Sequence, residues 1–239
     1  MTMWYFGVDN SKWSSEVLKL LSERFKVGLM VNSVQFLENK SYRMHCLRCL
    51  NYVDHAMVDN GYYAVLRGAG KFHVADIRFF VPKVVREILR YFDGDIKVFL
   101  IDEVPEVIFN GEPDLADYVD FIAVAQDTDE LEAFLEDGYS YVALGGNALF
   151  RAKNEAVKRL VDAYRLAKKY NAYIHALGVG KLELAAVVNS LGYDSVDTSA
   201  HLTKSHIRKL KSGWKRYSKA YEYAVQLLEA KCSTPVLNV

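Results

Sequence analysis

The chain has 239 residues, with 30 Lys and Arg against 30 Asp and Glu, so its formal net charge is zero with His neutral. Charged residues make up 25% and the hydrophobic set 51%, which excludes a disordered chain. Neutrality excludes a long-range pull on nucleic acid, so any basic binding surface must be local.

In chain order the apolar patterning predicts a strand over 4–8, a helix over 14–25 with Val17, Leu18, Leu20 and Leu21 on one stripe, and strands over 27–31 and 56–58. A helix over 81–92 follows, with Pro82 in its first turn and Val84, Val85, Ile88, Leu89 and Phe92 on one face. Strands are predicted over 97–101 and 121–125, then a helix over 128–136 with acidic residues in its first turn. The remaining pattern is a strand over 141–144, a long helix over 151–170, a strand over 173–177, a helix over 182–191 stopped by Gly192, and a short polar strand over 195–196. The segment 203–230 reads as one or two helices broken near Gly213. Eight buried strands alternating with helices predict a closed parallel (β/α)8 barrel over 1–203, with a basic helical tail over 204–239 packed on it. No G-x-G-x-x-G follows the first strand, against a dinucleotide fold.

Cys46, Cys49 and Cys232 give no disulfide framework and fit a reducing, cytoplasmic setting. Cys46 and Cys49 form a C-x-x-C near His45 and His55; buried thiols one helical turn apart explain the pair better than zinc, and no metal or cofactor is expected. The first residues lack the basic start of a signal peptide and reach Asp9 early, and no apolar run is long enough to span a membrane.

Barrel chemistry sits where strands end. Here the predicted strands end in Asp9-Asn10, Asn32-Ser33, Asp59-Asn60-Gly61, Asp102-Glu103, Gln126-Asp127, Gly145-Gly146-Asn147, Gly178-Val179-Gly180 and Asp197-Thr198-Ser199. A loop cap accounts for any one of these carboxylates, but poorly for the whole set. One carboxylate can attack an anomeric carbon to leave a covalent glycosyl-enzyme while another handles the leaving group's proton. A further Asp can accept from the N–H edge of a guanine, and a Gln can donate to its O6.

At these residues the sequence resembles the tRNA-guanine transglycosylase superfamily. The elements, in the family's order, are Met57-Val58-Asp59-Asn60-Gly61-Tyr62-Tyr63, Ile101-Asp102-Glu103, Ala123-Val124-Ala125-Gln126, Ala143-Leu144-Gly145-Gly146, Leu177-Gly178-Val179-Gly180 and Gly192-Tyr193-Asp194-Ser195-Val196-Asp197. The resemblance implies a (β/α)8 barrel that exchanges guanine for a 7-deazaguanine base in a nucleic acid. It implies Asp197 as nucleophile and Asp59 as general acid/base. Asp102 and Gln126 would read the guanine edge, Gly145 and Gly146 would offer backbone contacts, and Tyr63, Leu177 and Gly178 would complete the base site.

The family's tRNA enzymes carry a C-x-C-x-x-C zinc site behind the barrel, where this chain has only Cys232. Asn60, Tyr62 and Leu177 also depart from the family motifs, and Ser199-Ala200-His201 replaces the Thr-Arg behind the nucleophile. The expected polymer is therefore DNA, as for the DNA guanine transglycosylases, with tRNA as the alternative. Behind Asp197 stand Lys204, Arg208, Lys209, Lys211, Lys215 and Arg216 with Trp214 and Tyr217 among them, residues suited to phosphates and unpaired bases; the bland reading is a solvated basic face. Two further readings are a noncatalytic nucleobase- or nucleic-acid-binding relative, and an unrelated barrel enzyme for a small phosphorylated substrate.

Overall fold

The computed structural model describes residues 1–62, 65, 77–100, 113–146 and 153–232. Its strands are β1 Met3–Gly7, β2 Val27–Asn32, β3 His55–Asp59, β4 Asp95–Leu100, β5 Asp120–Ala125, β6 Tyr141–Leu144, β7 Tyr173–Ala176 and β8 Ser195–Thr198. The described α-helices are α1 Lys12–Ser22, α2 Ser33–Glu38, α3 Lys40–Cys49, α4 Ile77–Leu89, α5 Pro113–Ala116, α6 Thr128–Glu136, α7 Lys153–Lys169, α8 Leu182–Leu191, α9 Ala200–Thr203, α10 Ser205–Arg208 and α11 Gly213–Glu229. The strands form a closed parallel barrel in sequence order, a (β/α)8 fold. Its residues fall into two compact units, 7–122 and 1–6 with 123–239. No described helix is long and apolar enough to cross a membrane.

In the unit 7–122, β2, β3 and β4 pair in parallel, with Asn32 opposite Asp59 and Val58 opposite Val98. The Asp9 carboxylate accepts the Ser11 N–H at 2.8 Å and starts α1, whose Val17, Leu18 and Leu21 are buried. The sequence pattern did not mark α2, and it marked α3 only through the two thiols one helical turn apart, both of which are buried. Asn32 and Asn39 cap the two helices, accepting from the N–H groups of Gln35 and Tyr42 at 3.0 Å each. The buried face of α3 is Tyr42, Cys46 and Cys49, a phenol and two thiols in place of aliphatic residues. Burial pushes the Cys49 thiol up to about 12 and raises Cys46 further, so both are neutral packing groups. Among the described residues no three metal-capable side chains cluster. In α4, Pro82 lies inside the helix, a correction to its expected place in the first turn: the helix already runs from Ile77, and the proline deletes one interior backbone bond.

In the other unit, β8 lies between β7 and β1, with Ser195 opposite both His175 and Met3, and Asp197 opposite Tyr5. The Asp127 side chain accepts the N–H groups of Asp129 and Glu130 and starts α6. The Tyr193 hydroxyl donates to the Leu160 carbonyl at 2.7 Å, fixing the entry to β8 against α7. Asp194 accepts from Lys168 Nζ at 2.8 Å and from the Ile174 N–H at 2.9 Å, which occupies this carboxylate on the β7 side of β8. The tail helix α11 is fastened by Asn189 of α8. Its Oδ1 accepts from the Trp4 indole at 3.0 Å, and its Nδ2 donates to the carbonyls of Leu227 at 2.9 Å and Ala230 at 3.1 Å.

Candidate active site

Residues two apart in a strand share a face, so Ser195 and Asp197 of β8 stand beside Tyr173 and His175 of β7. The four side chains form one hydrogen-bonded chain. The Tyr173 hydroxyl donates to Ser195 Oγ at 2.6 Å, Ser195 Oγ lies 2.6 Å from His175 Nδ1, and His175 Nε2 lies 3.1 Å from Asp197 Oδ1. With Ser195 accepting from Tyr173, its own proton goes to Nδ1. A neutral imidazole then carries its proton on Nε2 and donates to Asp197. The same Oδ1 accepts the Gly178 N–H at 2.9 Å. One carboxylate oxygen is thus held by two donors, and Oδ2 accepts neither of these hydrogen bonds. The His175 side chain is fully buried and that of Asp197 is 16% exposed.

Asp197 opens into a cleft of about 400 Å³ bounded by Gly180 and Lys181 behind β7, Ser199 behind β8, and Lys204 and Ser205 at the start of the tail. The two loops touch at Gly180, where an added Cβ would lie 2.8 Å from the Ala200 Cβ. The Tyr223 hydroxyl of α11 donates to the Gly180 carbonyl at 2.8 Å and pins the same loop. The cleft carries two ammonium groups and several hydroxyls around one carboxylate, a lining for a polar, anionic ligand.

Gln126 and Gly145 meet at the ends of β5 and β6. A Cβ on Gly145 would lie 3.2 Å from both amide atoms of Gln126 and 3.3 Å from the Ala125 carbonyl oxygen, so the bare glycine backbone lets that side chain lie close against it. Arg159 of α7 donates to the Gly145 carbonyl at 3.0 Å and also to the Gln126 carbonyl, tying the two strand ends together. Gly146 follows in the left-handed conformation at φ +72°. Leu177 is half-buried, and its N–H donates to the Leu144 carbonyl at 3.0 Å. The N–H of Gly178, expected at the base site, is the one donated to Asp197.

In the unit 7–122, Asp59 ends β3. Its Oδ1 accepts the Gly61 N–H and its Oδ2 accepts from Asn32 Nδ2, both at 2.9 Å. It therefore serves as a turn cap. Asn60 is buried, donating to the Phe99 carbonyl at 3.2 Å and accepting from the Tyr62 N–H at 3.0 Å. Tyr63 and Asp102 lie outside the described residues.

Of the basic residues behind Asp197, Arg208, Lys209, Lys211 and Lys215 are exposed and Lys204 and Arg216 are half-buried. Lys204 Nζ lies 5.4 Å from the Tyr223 ring centre, and Arg216 Nε donates to the Leu210 carbonyl. Sequence reading missed His175 and Arg159. His175 had a visible signal, a lone ionisable residue inside the apolar run Tyr173-Ile174-His175-Ala176; Arg159 had none, as one of many charges on an amphipathic helix.

No protein-family model matches the chain, and no curated protein matches it. Solved structures do match. A thiamine phosphate pyrophosphorylase from Pyrococcus furiosus aligns over 96% of this chain and 96% of its own, with a TM-score of 0.53 and 13% sequence identity. That likeness extends over the whole barrel, and it establishes the (β/α)8 fold of this chain.

Proposed function

We propose that this barrel is a nucleic-acid guanine transglycosylase that exchanges guanine for a 7-deazaguanine base. The observation that carries the reading is the Asp197 carboxylate: one oxygen is fixed by His175 and Gly178, and the side chain opens into the cleft. A nucleophile for substitution at a sugar needs this arrangement, because an oxygen aimed by its partner loses little freedom on attack. Asp197 Oδ2 attacks C1′ of the target nucleotide. The C1′–N9 bond breaks with its electron pair leaving on the base, and a general acid, the role the family resemblance implies for Asp59, protonates that nitrogen. In the second half the incoming base gives its N9 proton back to that group, N9 attacks C1′, and the C1′–O bond breaks to restore the Asp197 carboxylate.

Gln126, resting over Gly145, suits the O6 edge of the base, and Lys181 and Lys204 suit a phosphate on the ribose. DNA is the polymer of this reading, with tRNA as the alternative. The test is incubation with labelled guanine and either DNA or tRNA at matched salt. Label should enter DNA, and a protein–DNA adduct should survive denaturation with the wild type but not with Asp197→Asn. No incorporation into either polymer would refute the reading.

The cationic cleft behind β7 and β8 favours a second reading, a small phosphorylated substrate. Barrels often hold phosphate there, and the solved barrel described above is named for a phosphate ester. Tight binding of nucleoside monophosphates with no base exchange would support it.

A further inference from the structure

Between residues 203 and 220 the chain holds Lys204, Arg208, Lys209, Lys211, Lys215, Arg216 and Lys219 and no Asp or Glu, in a protein whose charges sum to zero over the whole chain. Lys204, Arg216 and Lys219 have local partners in the Tyr223 ring, the Leu210 carbonyl and Glu222. Arg208, Lys209, Lys211 and Lys215 are exposed. Among them, in the first turn of α11, Trp214 is 73% exposed and stacks on Tyr217 with ring centres 5.1 Å apart at 26°. Water does not favour so much bare indole. The helix under it is firmly seated, with Ala220, Tyr223, Ala224 and Leu227 buried, so the ring pair is a preformed aromatic surface with cations on both sides in sequence. The segment also begins at the cleft wall, where Thr203, Lys204 and Ser205 stand with Asp197.

We infer that the Trp214–Tyr217 pair is a stacking platform for an unpaired base of the strand that carries the target nucleotide, with the exposed cations taking its phosphates. This rests on the cleft being a nucleotide site. An aromatic face can bind only a base whose own face is bare, so the platform selects single-stranded or locally opened polymer over intact duplex. A membrane surface fits less well: the apolar face of α11 is already buried against the protein, which leaves one indole and no stripe to insert.

The test is anisotropy of a fluorescein-labelled single-stranded oligothymidylate, and of a duplex of equal length, with the wild type, Trp214→Ala, Trp214→Phe and a Lys209→Ala/Lys211→Ala/Lys215→Ala triple variant. The expected loss for Trp214→Ala is about 5- to 150-fold on the single strand with an unchanged salt slope. Trp214→Phe should recover most of it, and the triple variant should lower the salt slope by about 2. The platform is overturned by single-strand affinity of Trp214→Ala within twofold of wild type, by duplex bound as tightly as single strand, or by phosphatidylserine vesicles competing off the oligonucleotide through Trp214. Trp214-dependent binding without base exchange on any polymer would sink the transglycosylase reading and leave the platform standing. Base exchange with a neutral Trp214→Ala would do the reverse.

Discussion

Replacing His175 with Phe keeps a buried ring beside Tyr5, 6.3 Å away, and removes both ring nitrogens. Asp197 Oδ1 then loses the donor at 3.1 Å and keeps Gly178 at 2.9 Å, while Tyr173 and Ser195 keep each other at 2.6 Å. A hydrogen bond to a charged group contributes about 1.5–3 kcal/mol, which at about 1.4 kcal/mol per factor of ten is roughly 10- to 150-fold. The loss should fall on kcat, because His175 is buried beneath the carboxylate and acts by positioning it. KM for the polymer should stay within about twofold. The assay is steady-state incorporation of labelled guanine, with a thermal melt to verify that the larger ring is accommodated. Ser195→Ala provides a second reading of the same chain: it spares the imidazole, removes the donor to Nδ1, and should cost less than His175→Phe. A folded His175→Phe protein with kcat within threefold of wild type, or with the whole defect in KM, would refute the argument that this imidazole aims the nucleophile.

Asp59→Asn should slow exchange by about 10²–10⁴-fold while sparing polymer binding, since an amide can still accept the Gly61 N–H but cannot carry a proton; near-normal turnover would leave Asp59 as a cap alone. Gly180→Ala puts a methyl group 2.8 Å from the Ala200 Cβ, and at about 1–3 kcal/mol of overpacking the melting temperature should fall by roughly 2–12 °C; an unchanged melt would show that the loops separate freely. Burial raises Cys49 from an ordinary value of 9.0 to about 12, so above pH 9 the unfolded chain releases a proton that the folded chain keeps. Stability from this thiol is complete below pH 9 and is lost between 9 and 12, and Cys49→Ala should flatten that part of a denaturant midpoint against pH. With a thiol reagent at pH 8 and no denaturant, half-exposed Cys232 should react well before the buried Cys46 and Cys49; three equally fast thiols would contradict the buried packing of α3.

The barrel was readable because its strands are short apolar runs and helices separate them; 141–144 and 182–191 match the observed bounds of β6 and α8. The expectation failed where burial uses unusual residues. The core face of α3 is Tyr42, Cys46 and Cys49, which no aliphatic stripe announces, and α2 is too short at 6 residues to show a period. The eighth strand reads as a short polar run over 195–196, and it continues through Asp197 to Thr198. That polarity belongs to the hydrogen-bonded chain beneath the cleft, so the feature that blurred the strand is the one that marks the site. Asp197 was visible as a strand-end carboxylate, whereas its attachment to His175 depends on the register of β7 against β8, which only the folded sheet supplies.

Asn189 makes the C-terminal helix inseparable from the start of the chain. One amide joins the indole of the first strand to the last turn of α11, so the basic strip is not a module that can be cut away to leave an intact barrel. Truncation before α11 would strip the Asn189 amide of its carbonyl acceptors at Leu227, Leu228 and Ala230 in a part-buried position, at about 1–3 kcal/mol for each polar group left unmatched. It would also uncover Ala220, Ala224 and Leu227 together with their partners on α8. Deletion mapping would therefore read lost stability as lost binding. Side-chain substitutions on the outer surface of α11 leave that fastening in place, and they are the means by which recognition and folding can be told apart in this protein.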